Sequence, residues 1–262
     1  MCYYNGIKVT RDELLKLLHL EAIVRNYELL NRPLQSGFEY KDYPIVKPVN
    51  GGKEILLEEA HWEFIPKMVR TQADLPAFRK KYLTMNATGE KILSSPFFSG
   101  AARKRRCLVP SSGFYEWRHY KPAGAKKVEK YPYHIKLKNR NYFYMAGIWQ
   151  QWIDQETAEA IDTFAIVTTA ANSAMEQIHN SRKRMPTILP EKLALEWISE
   201  NLTDERITQL ATFQLPIEEM EWHPIRKDFR ETPDLDPREE YAYPELPGLG
   251  EDDSAAQAHS LF

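Results

Sequence analysis

The sequence predicts an α+β protein built around a β-barrel or a strongly curved, mostly antiparallel sheet, with helices on its flanks. The first reason is the number of short segments that alternate apolar and polar residues, namely residues 53–57, 131–138, 142–149 and 163–169. The second reason is that helical patterns are few and do not alternate regularly with the strands. A doubly wound parallel sheet requires that alternation, so it is disfavoured.

The N-terminal part of the chain predicts one helix and then irregular chain. Thr10 and Glu13 have the spacing of a capping box, and apolar residues follow at helical intervals, which predicts a packed helix over residues 13–30. Residues 31–52 contain three prolines and two adjacent glycines. These residues are typical of turns and loops, so we expect irregular extended chain there.

The C-terminal half predicts a hairpin and three helices. The strands predicted over residues 131–138 and 142–149 flank three polar residues, which is the layout of a β-hairpin. Helical periodicity follows over residues 170–178, 191–198 and 204–210.

Composition indicates one folded domain and a tail. The chain has 262 residues, 43% of them hydrophobic, which is enough for one sizeable core. We expect the domain to span residues 2–232, and the acidic, proline-rich residues 233–262 to be disordered. That tail holds eight acidic residues and one basic residue, a net charge of −7, so the rest of the chain carries +5. A mildly basic body permits nucleic-acid binding without requiring it.

Several classes of protein are disfavoured. No apolar run approaches the roughly 18 residues that cross a bilayer, and the N-terminus lacks the layout of a secretion signal. We expect a cytoplasmic protein with no membrane partner, and a monomer suffices. Two cysteines are too few for a disulfide framework, and the seven histidines lack paired spacing. No metal or other cofactor is therefore expected.

The two cysteines differ in their surroundings. Cys107 lies among apolar strand residues and is expected to be an inert, buried thiol. Cys2 lies at the extreme terminus of the sequence, where core packing is not the usual reason for a cysteine. Cys2 is therefore the candidate for chemistry.

The segment RRCLVPSSGFYEW, residues 105–117, predicts two strands joined by a turn. Alternation places Phe114 and Glu116 on one face of the second strand, and Tyr115 and Trp117 on the other. A carboxylate that shares a strand face with Phe either faces water or is held for a purpose, because burying it unpaired is costly.

Four segments together point to a known family. Met1-Cys2 is followed by MNATGE at residues 85–90, by GFYEW around Glu116, and by Ile178-His179 with RMPTIL at residues 184–189. In this order they resemble the SOS response-associated peptidase (SRAP) family, the abasic-site-processing proteins, from Cys2 to about residue 190 with extension to residue 224. The resemblance implies an SRAP-like fold, with Asn86 positioning the nucleophile and His179 at the matching histidine position.

The sequence departs from the family pattern in four places. Tyr3-Tyr4 replaces the common Gly-Arg, and Glu63-Phe64 replaces Gly-Leu in the WGLIP-like segment that contains Trp62. Thr88 stands where the family has an arginine that contacts phosphate, so Lys91 or Arg103 is expected to rebuild that contact. The residues between the catalytic histidine and Met185 are expanded, which leaves either Arg182 or Arg184 as the phosphate ligand.

Cys2 suggests aldehyde chemistry. If Met1 is removed, Cys2 carries an α-amine and a thiol that titrate near neutrality. The amine can form an imine with an aldehyde, and the thiol can close a thiazolidine ring on it. The resemblance implies that the aldehyde is the ring-opened sugar of an abasic site. Opening that sugar needs proton transfer, for which Glu116 is the first candidate and His179 the second.

The leading hypothesis is an enzyme that crosslinks itself to abasic sites in single-stranded DNA through Cys2, with later release, and that associates with the nucleoid when bound to DNA. Its candidate DNA-binding residues are Trp62, Thr88, Arg103, Arg105, Arg106, Trp117, Thr168, Arg182, Lys183 and Arg184. Two alternatives stay open. One is a thiol peptidase, or autopeptidase that removes Met1, with Cys2 as nucleophile and His179 as base. The other is a single-stranded nucleic-acid-binding module without catalysis.

Overall fold

The computed structural model describes residues 2–10, 23–24, 30–52, 54–232 and 236–251. The strands in these ranges are β1 Tyr4–Lys8, β2 Ile23–Val24, β3 Asn31–Ser36, β4 Asp42–Val49, β5 Glu54–Trp62, β6 Asn86–Thr88, β7 Arg106–Ser111, β8 Gly113–Tyr120, β9 Glu129–Leu137, β10 Phe143–Ile153, β11 Ala160–Ala170, β12 Arg184–Pro186, β13 Ile188–Leu189 and β14 Met220–Pro224. The α-helices there are α1 Leu75–Arg79, α2 Ser99–Lys104, α3 Ser173–Ile178, α4 Glu191–Trp197 and α5 Asp204–Ala211. None of these helices is both long and apolar enough to span a bilayer.

Five strands close into a barrel in the order β11, β10, β7, β4, β5 and back to β11. Four of the five pairings are antiparallel. The fifth is parallel and closes the ring by pairing Thr163 with His61 and Phe164 with Trp62. Closure removes the exposed strand edges that an open sheet would present. The predicted α+β class with a β-barrel is confirmed.

Trp62 anchors the packing of this barrel. Its side chain is fully buried, it stacks on Phe164 with ring centroids 6.1 Å apart, and it contacts Tyr43 at 5.7 Å. The indole Nε1 donates a hydrogen bond to Met85 O at 3.2 Å, so its polar atom is satisfied inside the core. Truncation of such a residue to alanine costs about 3–5 kcal/mol.

A second sheet, in the order β14, β9, β8, β1, β3, carries the N-terminal strand. β1 lies between β8 and β3, with Asn5 opposite Phe114 and Tyr4 opposite Ser36. Gly6 is required at this junction, because a Cβ there would lie 2.0 Å from Pro33 O. The start of the chain is thus held inside a sheet rather than at its edge.

Alternation along β8 follows the prediction. Phe114 and Glu116 are both buried, and Tyr115 and Trp117 point to the other face, where Phe229 packs against both rings. The Tyr115 and Phe229 rings are stacked, with centroids 5.3 Å apart. A segment that follows β14 therefore covers the outer face of the sheet.

The prediction of irregular chain over residues 31–52 is wrong. The stretch forms β3, a 3-10 turn over Gly37–Glu39 and β4. Pro44 and Pro48 are an even number of residues apart, so both missing N–H groups fall on the same side of β4. The other side keeps an uninterrupted set of donors, which is why two prolines do not exclude a strand.

The predicted hairpin over residues 131–149 is also wrong. Both strands exist, but β9 pairs with β8 and β14 in the second sheet, whereas β10 pairs with β7 and β11 in the barrel. The chain passes from one sheet to the other at Asn139, whose φ of 55° is left-handed. Alternation predicts a strand but does not identify its partner.

The predicted helix over residues 13–30 falls mostly outside the described residues. Within it, Ile23 and Val24 form β2, parallel to β5, so the helix prediction is wrong at these two positions. Backbone pairing along the edge of the barrel sheet overrides the helical pattern there.

The prediction of a disordered tail is corrected for residues 236–251, which pack against the second sheet. Arg118, fully buried, donates to Pro247 O at 2.7 Å and to Gly248 O at 3.4 Å. Tyr131 OH donates to Glu245 Oε1 at 3.1 Å. A buried guanidinium needs acceptors, and this segment supplies its carbonyls. Residues 233–235 and 252–262 lie outside the described part of the chain.

Candidate active site

A cleft of about 450 Å³ opens beside the start of β1. It is lined by Tyr3, Tyr4, Leu83, Glu116, Trp117, His119, Lys130, His179, Ser181, Arg182 and Arg230. Two of the four predicted catalytic residues therefore line one concave surface, although they are 63 positions apart in the sequence.

A larger cleft of about 850 Å³ lies toward the other end of β9, where its walls include Lys8, His134 and Arg238. It contains none of the four predicted catalytic residues. Size alone does not define a site, so the smaller cleft is the candidate active site.

Glu116 reaches the cleft from β8, where it pairs with Tyr133 of β9. The residue is only 4% exposed, and burial raises the pKa of its carboxyl to about 8. Near neutral pH the group is therefore mostly a protonated acid, which can donate a proton.

His179 is delivered by the C-terminal end of α3. Asn172 caps the other end of this helix by accepting a hydrogen bond from Met175 N at 3.0 Å. His179 Nδ1 lies 2.8 Å from Arg184 O, and because a carbonyl only accepts, Nδ1 carries the proton. Burial lowers the pKa of this imidazole to about 4, so the ring is neutral near pH 7. Its Nε2 lies 3.7 Å from Glu116 Oε2.

Cys2 directly precedes Tyr3 and Tyr4, which line the cleft, but does not line the cleft itself. Its thiol is fully buried, with Sγ donating to Tyr4 O at 3.7 Å. Burial raises the pKa of the thiol well above its ordinary value, and the negative charge of Glu116 raises it further. The Cys2 thiol is thus neutral and within the electrostatic reach of Glu116.

Asn86 lies at the start of β6, parallel to β11 and opposite Ile166. It is 7% exposed, and within the described ranges neither polar atom of its side chain has a hydrogen-bond partner. Leaving such groups unsatisfied costs about 1–3 kcal/mol each. The preceding Met85 approaches Gly37, whose N–H donates to Tyr3 O at 2.8 Å. These contacts connect the start of β6 to the segment between Cys2 and β1.

Arg182 and Arg184 have different roles in the structure. Arg184 is bound by both carboxylate oxygens of Glu90, at 2.7 and 2.8 Å, and by Thr168 O at 2.6 Å. Arg182 lines the cleft and has no carboxylate partner among the described residues. Of the two, Arg182 is the one placed to meet an anion.

The basic run at residues 103–106 is not brought to this cleft. Arg103 pairs with Asp204, and Arg105 donates to Trp149 O at 3.3 Å. Arg106 is buried and donates to backbone carbonyls around the end of α4, including Trp197 O at 2.6 Å. Arg103 thus connects α2 to α5, Arg105 connects the end of α2 to β10, and Arg106 binds the end of α4. None of the three lines the cleft.

Of the other predicted DNA-binding residues, some line the cleft and others belong to the core or to turns. Trp117 lines the cleft, whereas Trp62 is a core residue. Thr88 is half-buried and pairs with the fully buried Thr168, and Lys183 occupies a left-handed turn with φ 52°. Lys91, the other proposed replacement for the missing arginine, lies on a 3-10 turn and does not line the cleft.

Sequence reasoning gave no role to five of the residues that line the cleft. Tyr3 and Tyr4 were noted only as departures from a pattern, and Lys130, His119 and Arg230 were not singled out. His119 and Lys130 lie opposite each other on β8 and β9, so strand pairing could have linked them. No signal in the sequence connects Arg230 to the start of the chain.

The fold and site together define a closed barrel with an attached sheet, in which a carboxyl–imidazole pair lines a cleft next to a buried cysteine at position 2. The chain belongs to the SOS response associated peptidase (SRAP) family, whose model matches residues 1–232.

Relatives and solved structures agree with this assignment. The chain is 30% identical over 181 residues to the abasic site processing protein YoqW of Bacillus subtilis, covering 69% of this chain and 74% of the relative. It is 27% identical over 188 residues to the abasic site processing protein HMCES of Gallus gallus, covering 66% of this chain and 53% of the relative. A crystal structure of a protein from Bacteroides thetaiotaomicron superposes with a TM-score of 0.80 at 30% identity, covering 92% of this chain and 100% of that one.

Proposed function

We propose that this protein, once Met1 is removed, forms a covalent crosslink between Cys2 and the ring-opened sugar of an abasic site in single-stranded DNA. The observation that carries the proposal is the placement of the Glu116–His179 pair in a cleft lined by Tyr3 and Tyr4, the two residues after Cys2, whose buried thiol lies within the electrostatic reach of Glu116. The names of the relatives, which describe abasic-site processing, give the substrate class.

The first step is opening of the sugar. An abasic deoxyribose is mostly a closed hemiacetal, and its aldehyde appears when the ring oxygen gains a proton while the anomeric hydroxyl loses one. The Glu116 carboxyl, with its pKa raised to about 8 by burial, holds the proton that this step requires. The neutral Nε2 of His179, 3.7 Å away, is an acceptor for a proton.

The next steps form the crosslink. The α-amine of Cys2 attacks the aldehyde carbon and gives a carbinolamine, which loses water to become an imine. The thiol sulfur then bonds to the same carbon, its proton passes to the nitrogen, and a five-membered thiazolidine ring results. One water leaves for each crosslink, and no oxidant or reductant is needed. Reversal runs through the same steps with water returned.

The raised pKa of the Cys2 thiol fits this order of events. A neutral thiol is a poor initial nucleophile, so the amine is expected to react first. The neutral Nε2 of His179 can then take the thiol proton as the ring closes and pass it on to the nitrogen. Asn86, whose buried amide lacks a hydrogen-bond partner among the described residues, is proposed to orient the reacting terminus.

Single-stranded DNA is the proposed substrate because the reactive group is enclosed. Cys2 is fully buried, so the sugar must enter the cleft, which an unpaired nucleotide does at little energetic cost. Trp117 in the cleft wall offers a ring where the base is missing. Arg182 is proposed to bind a phosphate beside the sugar. One copy of the chain supplies every group, so we propose a monomer that acts in the cytoplasm and on the nucleoid.

A thiol peptidase would use the site differently. It needs a histidine that hydrogen-bonds the thiol and takes its proton. The Cys2 thiol instead donates to Tyr4 O, and the two ring nitrogens of His179 face Arg184 O and Glu116. The geometry therefore favours the crosslinking reaction over peptide hydrolysis.

The test is to mix the purified protein with a short single-stranded oligonucleotide that contains one abasic site and to run a denaturing gel. A heat-stable, slower band is expected, and mass spectrometry should show the protein without Met1 plus the DNA minus one water. No band from protein that lacks Met1 would refute the proposal.

A further inference from the structure

A row of aromatic rings leads from the cleft to the protein surface. Tyr4 contacts Trp117, with ring centroids 4.8 Å apart at a steep angle. On its other side Tyr4 lies 6.5 Å from Phe38, which also packs 4.8 Å from Tyr3. Tyr3 and Tyr4 immediately follow Cys2, so this aromatic wall, formed by Tyr3, Tyr4, Phe38 and Trp117, begins at the proposed reactive residue.

Phe38 is the exposed end of the aromatic wall. It is 44% exposed although it is a large apolar side chain. Its backbone is fixed in a 3-10 turn, where Phe38 N donates to Ser36 Oγ at 3.2 Å and Ser36 N donates to Glu39 Oε1 at 3.2 Å. Phe38 does not line the cleft itself, but it contacts Tyr3 and Tyr4, which do. An exposed ring on a fixed backbone beside a cleft is suited to stacking on a flat ligand group.

Arg230 supplies positive charge at the same wall. Its Nη1 donates to Tyr4 OH at 3.0 Å, and its guanidinium carbon lies 5.6 Å from the Tyr4 ring centroid. Within the described ranges Arg230 has no carboxylate partner. Nearby Arg226 differs, because Asp228 binds it at 2.8 Å. The charge of Arg230 is thus available to an anion that enters the cleft.

We propose that Phe38, Tyr4 and Arg230 form a subsite for the nucleotide next to the abasic sugar, in which the aromatic wall stacks on the base and Arg230 binds the phosphate. The inference rests on the proposed function and names how the substrate strand is held. A flat aromatic surface beside an unneutralised cation matches an unpaired nucleotide, which has a π face and an anionic backbone.

This subsite is indifferent to base identity. All four bases have a π face, and the described side chains of the subsite offer it rings and one guanidinium rather than a pattern of amides and carboxylates. Recognition should therefore depend on the presence of a neighbouring base and not on its sequence.

The phosphate contact is tested with single-stranded DNA that carries an unreactive tetrahydrofuran analogue of the abasic site. Binding is followed by fluorescence anisotropy at several salt concentrations. Arg230→Gln should weaken binding and make the salt dependence shallower by about 0.7 in slope, the value for one lost phosphate contact on a single strand. Arg226→Gln, which removes an arginine already paired with Asp228, is the matched control and should leave the slope unchanged. Equal slopes for Arg230→Gln and wild type would overturn the phosphate assignment.

The base contact is tested by a double-mutant cycle between protein and DNA. Phe38→Ala should weaken binding about tenfold, and so should removal of the neighbouring base from the oligonucleotide. If Phe38 stacks on that base, the two changes together should weaken binding no more than either alone. The base is removed on the 5′ side in one oligonucleotide and on the 3′ side in another, which identifies the neighbour. Additive losses on both sides would overturn the stacking assignment.

Two further measurements separate this subsite from a structural role and from the proposed function. Phe38→Tyr and Arg230→Lys keep the ring and the charge, so they should restore at least half of the lost binding free energy if the contacts are to DNA. The crosslinking gel with a true abasic site is scored independently. Affinity effects without any crosslink by wild type would refute the covalent proposal but retain the subsite, and the reverse result would refute the subsite alone.

Discussion

His179 Nε2 lies 3.7 Å from Glu116 Oε2, and the other nitrogen of the same ring donates to Arg184 O at 2.8 Å. Burial raises the pKa of the carboxyl to about 8 and lowers the pKa of the imidazole to about 4. The carboxyl therefore has a higher pKa than the imidazole, which is the reverse of their usual order. Near neutral pH the proton shared by the pair resides on the carboxyl. Near neutral pH both groups of this buried pair are uncharged, and the carboxyl can donate a proton while the imidazole can accept one.

Removal of the acid should slow the chemistry without preventing DNA binding. We expect Glu116→Gln to reduce the rate of crosslinking by on the order of 10²- to 10⁴-fold, because glutamine keeps the shape of the side chain and cannot transfer the proton. Crosslink formation is followed by gel under single-turnover conditions, and affinity is measured with the unreactive abasic analogue. A variant that crosslinks at the wild-type rate would exclude Glu116 as the acid.

Cys2 and Cys107 provide a matched pair, because both thiols are fully buried. Cys2→Ala should abolish the covalent adduct, since the variant lacks the sulfur that closes the ring. Cys107→Ala should crosslink like wild type, because Cys107 lies in β7 beside Gly147, where its role is packing. Denaturing gels of the two variants, with circular dichroism to check the fold, make the comparison. A stable adduct formed by Cys2→Ala would contradict the thiazolidine assignment.

Substitution of Arg182 should affect DNA binding, whereas substitution of Arg184 should affect the stability of the fold. Arg182→Gln is expected to weaken DNA binding and to leave the unfolding midpoint unchanged, because the described structure gives Arg182 no carboxylate partner. Arg184→Gln is expected to lower the free energy of unfolding by about 2 kcal/mol, because it loses its charge-assisted bonds to Glu90 and Thr168. Urea titration and anisotropy on both variants give the two readouts. The opposite pattern would reassign the phosphate contact to Arg184.

The two shifted pKa values predict how stability changes with pH. The pKa of Glu116 is raised from 4.5 to about 8 in the folded state, so its contribution is fully present below pH 4.5 and is lost as pH rises through 8. The pKa of His179 is lowered from 6.5 to about 4, so its contribution is fully present above pH 6.5 and is lost as pH falls through 4.

Of these two groups, only Glu116 affects stability between pH 6.5 and 8. Other groups titrate there, such as His61, whose pKa is raised, despite its burial, by the carboxylates of Asp42 and Glu63, so the comparison with Glu116→Gln is needed to cancel them. Wild type should lose stability relative to Glu116→Gln as pH rises across this range. Urea unfolding at intervals of half a pH unit measures the difference, and parallel curves for the two proteins would show that the carboxyl is already ionised near pH 6.5.

Arg118 should be essential to the fold. The side chain is fully buried and donates to the carbonyls of Pro247 and Gly248, so Arg118→Met leaves these acceptors without their donor. The free energy of unfolding should fall by about 3 kcal/mol. Arg140→Met, at an exposed position, is the control and should change stability by less than about 0.5 kcal/mol. Equal stability of the two variants would mean that residues 247 and 248 are held by other contacts.

Local pattern was sufficient to predict part of the site. Alternation placed Glu116 on the same face of β8 as Phe114 and Trp117 on the other, but it left open whether the carboxyl faces water. The helix that ends at Ile178 is followed by His179, as expected. Strand partners were not predictable, because alternation is the same for β9 and β10 although they belong to different sheets. The role of each arginine was not predictable either, because Arg106 and Arg182 both lie in basic runs of the sequence. In the fold, Arg106 donates to backbone carbonyls, whereas Arg182 lines the cleft.

The position of β1 between β8 and β3 also determines when during synthesis this strand can pair. Gly6, four residues after Cys2, pairs with Gly113 of β8, more than a hundred residues later in the chain. The walls of the cleft extend to Arg230, so the cleft beside β1 is complete only after the chain has been made as far as residue 230. The proposed reactive groups of Cys2 would therefore be enclosed only in a chain that already contains the residues that form the cleft.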